Sequence, residues 1–184
     1  MEVPYLKEMW PDAIFTAFEP LLSSFRIWKH GVKKGQFPGK IMRSALGDKR
    51  EVKELHCQGD KSSFYKPSRL RMDRNVQVET LDDLDAGVCN GRFVPPVLLW
   101  LDVEGYELQV LAGAQKMLWK CVWCCVEIRD DPVVPGWVDG RVVDAWLKDR
   151  GFVASFYCGR IMPTVGNQMY VRNKRTAKYA LQHS

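Results

Sequence analysis

Short apolar runs that do not alternate with polar residues are the feature that most constrains this chain. Apolar runs of strand length recur at 13–18, 40–46, 97–101, 122–128, 152–157 and 168–171, several of them continuous in this way, with amphipathic stretches between them. A strand with one wet face alternates, whereas a strand covered on both faces reads as a continuous apolar run. Covered strands that take turns with helices need crossover connections, so the pattern predicts an α/β domain with a largely parallel sheet flanked by helices.

The intervening stretches carry helical spacing. Leu108, Leu111, Ala112, Gln115 and Leu118 fall on one face, with Glu104 and Glu107 near the start, where acids favour the helix dipole. They predict one long helix. A second is expected over 138–150, burying Val142, Val143, Trp146 and Leu147 and stopping at Gly151. A third is expected over 21–30, ending at Gly31. Residues 47–90 are more polar, and we read them as a hairpin of 52–57 with 76–80 plus an irregular excursion.

At 184 residues the chain suits one domain, assigned to 1–172 and followed by a basic tail over 173–184. The net charge is +5, and Arg172, Lys174, Arg175 and Lys178 at the tail contribute much of it. Such a tail is read as solvated, and neither nucleic acid nor membrane is expected as a partner. The most apolar segment, 93–101, contains two prolines and is about half a membrane span.

The six cysteines are Cys57, Cys89, Cys121, Cys124, Cys125 and Cys158. Three of them share one apolar run, where alternate side chains point to opposite faces and so cannot converge on zinc. Reduced, buried thiols in a cytoplasmic protein are the expectation.

Ligands of such a sheet bind where strands end, so polar residues that directly follow apolar runs draw attention. Phe15-Thr-Ala-Phe-Glu-Pro20 ends in an acid before a proline placed to open a helix. Glu19 there can accept both hydroxyls of a ribose, or simply charge the helix start. In Leu98-Leu-Trp-Leu-Asp-Val-Glu-Gly-Tyr-Glu107, three carboxylates fall within six residues around a glycine turn. Asp102, with Glu104 beside it, can bind an amino group, act as a general base or ligate a metal. Glu127 ends the next run and should lie close to Asp102, where paired carboxylates split their proton affinities or share a cation. Pairing of Glu127 with Arg129 is the competing role.

Taken in order, these junctions resemble the FkbM methyltransferase family. The matching features are Ala17-Phe-Glu-Pro20, Ser44-Ala-Leu-Gly-Asp48, Ser62-Ser63 and Val78-Glu-Thr-Leu-Asp-Asp83. The most specific is Leu101-Asp-Val-Glu-Gly-Tyr-Glu-Leu108 with Val110-Leu-Ala-Gly-Ala114, followed by Cys125-Val-Glu127 and Asn167-Gln-Met-Tyr-Val-Arg172.

The resemblance implies a Rossmann-like class I methyltransferase sheet that moves a methyl group from S-adenosylmethionine to an acceptor, often a hydroxyl of a sugar, glycan or small natural product. On that basis Glu19 and Pro20 border the ribose, Ser44, Ala45 and Leu46 flank the adenine, and Asp102 meets the cofactor's methionine end. Asp102, Glu104 and Glu127 are the implied catalytic acids, and the same three carboxylates are candidates to hold Mg2+. Two departures stand out. Trp100 occupies a place where many relatives have lysine, and no glycine precedes Gly31. The family's first strand and glycine-rich turn are therefore expected to be missing from this chain, with 1–10 read as its first helix. Truncation or degeneration without catalysis is the alternative that follows, and unpaired sheet edges would then favour self-association into a homo-oligomer.

Overall fold

The computed structural model describes residues 8, 10–36, 39–58, 61–65, 72–87, 93, 95–130, 136–162 and 165–173. Within them the order is β1 (Thr16–Phe18), α1 (Leu22–Lys33), β2 (Lys40–Met42), β3 (Ala45–Leu46), β4 (Glu51–Gln58) and β5 (Lys61–Ser63). β6 (Met72–Glu79), α2 (Leu81–Gly87), β7 (Val97–Leu101), α3 (Glu107–Ala112) and α4 (Gln115–Lys120) follow, then β8 (Cys121–Arg129), α5 (Gly140–Asp149), β9 (Phe152–Met162) and β10 (Val165–Arg172).

The chain is a mixed α/β structure whose described strands form three sheets. β1 and β2 pair in parallel as a ribbon. The second sheet runs β3-β6-β4-β5 and the third β7-β8-β10-β9. In the third, β7 and β8 are parallel, and β10 is antiparallel to both β8 and β9. β8 shows why its apolar run does not alternate. Cys124, Cys125 and Val126 are fully buried in succession, so both faces are covered. One face meets α4 and α5 through a core that includes Val110, Leu111, Met117, Leu118, Val143, Leu147, Phe152 and Tyr170.

Several expectations need correcting. The long helix expected from Leu108 to Leu118 is two short ones, α3 and α4, broken at Gly113. A side chain at Gly113 would run into the backbone carbonyl of Gly47, so the break is where the second sheet abuts the helices. Asp82 in α2 then caps α4 from a distance, its carboxylate accepting from the amides of Lys116 (3.0 Å) and Met117 (2.8 Å). The helix expected to end at Gly31 continues to Lys33, and the left-handed glycine just beyond it is Gly35, at φ +71°. Pro20 does not open that helix, because Leu21 is its N-cap. The apolar run 40–46 is two strands in different sheets, interrupted at Arg43 and Ser44.

Arg172 is not part of a solvated tail. Its Nε donates to the carbonyl of Cys121 at 2.9 Å and Nη2 to that of Leu118, while the guanidinium lies 4.4 Å from the Phe152 ring centroid. Cys57, Cys121, Cys124 and Cys125 are buried; Cys89 and the Cys158 side chain lie outside the description. The helix expected over 1–10 also lies outside it except for Glu8 and Trp10, as does the tail beyond Asn173. No helix among the described residues is long and apolar enough to cross a membrane.

Candidate functional site

The first cluster lies at the carboxyl end of the β1–β2 ribbon. The Glu19 amide donates to the Met42 carbonyl at 3.0 Å, which brings the two strand ends level. Glu19 Oε1 accepts from the Leu21 amide at 2.8 Å, so the residue does help to start α1. Partial burial pushes its carboxyl up, against the lowering effect of that hydrogen bond. Two residues past β2, Ser44 is buried, and its Oγ has no hydrogen-bond partner among the described residues. A buried hydroxyl left unpaired costs free energy that a bound polar ligand would recover. Ala45 and Leu46 are packed in the core with their backbones paired to Val78 and Glu79.

The second cluster forms at the end of β7. Leu101 is in register with Val126, so one step further Asp102 stands level with Glu127 on the parallel neighbour. Across β8 on its other side, Glu127 faces Asn167. Asp102 is exposed, Glu104 half-buried, and Glu107 and Glu127 buried. After Asp102 the chain turns through Glu104 at φ +52° and Gly105 at φ +96°. Glycine is needed at 105 twice over, because an added Cβ would also lie 2.5 Å from the Trp137 ring. The Glu107 carboxylate accepts from the Gly105 amide at 3.1 Å and closes the turn.

Arg129 ties the acids together. Its Nη2 lies 3.8 Å from Glu127 and 3.9 Å from Glu104, and its guanidinium stacks 4.4 Å from the Trp137 ring centroid. The pairing of Glu127 with Arg129 read as an alternative is therefore present, but it is enclosed, with Glu127's side chain only 8% exposed. Burial pushes the Glu127 carboxyl up to about 7; Asp102, Glu104 and Glu107 add to the rise and Arg129 opposes it. Burial also raises Glu107. A small cleft opens here, lined by Gly105, Glu107, Glu127, Arg129, Trp137 and Val143.

Asp102, Glu104 and Glu127 are not gathered as a metal set among the described residues. Among the described residues no three His, Cys, Asp or Glu side chains come together as ligands, and a guanidinium already sits between Glu104 and Glu127. Asp130 is exposed beyond β8, and Asp131 lies outside the description. Sequence reasoning passed over Trp137, which no strand end announces, and gave Ser63 and Tyr65 no role.

A mixed α/β domain with carboxylates gathered at the ends of parallel strands is the class that fold and site define. A family model described as the Methyltransferase FkbM domain matches residues 3–154. The chain belongs to the FkbM methyltransferase family. Neither the curated proteins nor the solved structures searched gave a match.

Proposed function

We propose that this chain is an S-adenosylmethionine-dependent methyltransferase, on a Rossmann-like class I framework, acting on a hydroxyl of a sugar or small natural product in the cytoplasm. The observation that carries the reading is that Asp102 and Glu127 follow the last in-register pair of two parallel strands, with the Glu127 carboxyl raised to about 7. A base poised near neutral pH removes a hydroxyl proton at little cost, which is what an oxygen nucleophile requires.

Glu19 fits the ribose hydroxyls and the unpartnered Ser44 hydroxyl fits a polar edge of the base. S-adenosylmethionine, when bound, supplies a methyl group on a positively charged sulfur. Asp102 would provide a negative charge beside that region, and Glu127 would accept the proton of the acceptor hydroxyl as its oxygen takes the methyl group and the carbon–sulfur bond breaks, leaving a neutral thioether. Arg129 and Trp137 keep the Glu127 carboxylate oriented. Most of the acceleration in such a displacement comes from positioning the two reactants in line.

Calorimetric titration with S-adenosylhomocysteine tests the reading. The expected result is micromolar binding that weakens by about 1 to 3 kcal/mol in Glu19→Ala, the cost of stranding a hydrogen-bonding group. Absence of binding to the purified chain would overturn it in favour of a methyltransferase-like domain without catalytic activity.

A further inference from the structure

Ser63 belongs to β5, at the far edge of the second sheet, yet it touches the turn that carries the acids. Its Oγ donates to the Glu104 carbonyl at 2.7 Å and accepts from the Tyr65 amide at 3.1 Å and the Trp137 Nε1 at 3.3 Å. A hydroxyl has one proton and two lone pairs, so every bond Ser63 can make is used. Glu104, the residue it holds, is the only non-glycine at positive φ among the described residues. Such a backbone is unfavourable for a residue with a side chain and persists only where its surroundings impose it.

We propose that Ser63 is a positioning residue. Its hydroxyl joins the Glu104 carbonyl to the Trp137 indole and so holds Glu104 in the left-handed conformation that keeps its carboxylate beside Arg129 and Glu127. The proposal rests on the reading of Glu127 as the base. It assigns the β4–β5 excursion a part in setting that base from outside the sheet that carries it. A second grip supports this arrangement, since Lys53 of β4 donates to the Tyr106 hydroxyl at 2.6 Å, at the other end of the same turn.

The charged groups bearing on Glu127 are Asp102, Glu104 and Glu107, which raise it, and Arg129, which lowers it. Releasing Glu104 removes one like charge and leaves Arg129 free to turn wholly onto Glu127. Both changes act in the same direction.

The experiment is a carboxyl-carbon NMR titration of 13C-glutamate-labelled protein, reading Glu127 and, as an internal control, Glu19 at the β1 end. The midpoint of Glu127 is expected near 7 in the parent chain and about one pH unit lower in Ser63→Ala, with Glu19 unmoved. Ser63→Thr, which keeps the hydroxyl, should restore the parent value. An unmoved Glu127 in folded Ser63→Ala would overturn the proposal, as would an equal shift in Ser63→Thr. Should Ser63→Ala fail to fold, Glu104→Gln serves instead, and an unchanged Glu127 midpoint there would overturn it. No cofactor enters this titration, so a chain that shows the shift but binds no S-adenosylhomocysteine refutes the methyltransferase reading and leaves the role of Ser63 standing.

Discussion

Glu127 carries a carboxyl inside a sheet whose neighbours are mostly acids, and its proton is the simplest way to hold it there. Free glutamate gives up that proton at about 4.5, whereas Glu127 keeps it up to about 7. Between these values the unfolded chain loses its proton first, so stability falls as pH rises from about 4.5 to about 7 and levels off above. Glu127→Gln cannot ionise. The variant should show a flatter dependence across that window, by up to about 1.4 kcal/mol per pH unit at the steepest point. Urea denaturation at a series of pH values checks this. A slope identical to the parent's would mean that Glu127 is ionised in the folded state throughout.

At the scale of elements, the join between α3 and α4 shows how a distant residue can decide local structure. Ala114, the N-cap of α4, has no side chain that can accept a hydrogen bond, and Asp82 takes over the role from α2. Asp82→Ala should therefore cost about 1 to 2 kcal/mol in a chemical melt, as the loss of an N-cap does. A cost near zero would show that water caps the helix equally well. Sequence periodicity could not reveal this break, because Leu108 through Leu118 keep one apolar register across it. The backbone that approaches closely at the break is that of Gly47, 66 positions away from Gly113. Strands were more legible. Val97–Leu101 is as expected and β8 extends only one residue further at each end than the run 122–128. In β8 the unbroken apolar stretch reflects burial on two faces, a property that sequence displays directly, whereas β7 is half-buried up to Leu101. The candidate site divides in the same way. Asp102, Glu104 and Glu127 follow apolar runs and could be found, whereas Ser63 and Trp137 reach the cluster only through folding.

Over the whole molecule, Arg172 fastens the last described strand to elements on several sides. It donates to carbonyls at the end of α4, the start of β8 and the end of α5, and lies beside Phe152 at the start of β9. Arg172→Met would fill much of the space but strand those carbonyls, so a loss of about 2 to 3 kcal/mol is expected in a urea melt. A loss below about 0.5 kcal/mol would show that water replaces the guanidinium, as at an ordinary surface site. The order β7-β8-β10-β9 has a consequence during synthesis. The strand that lies between β8 and β9 is the last of the three to be made, so on the ribosome both must wait with one edge unfilled. Until residues 165–172 emerge, the nascent chain has no means of completing the sheet on which its acids are mounted. The time spent with those edges bare is set by the rate of translation as well as by the chain's own folding.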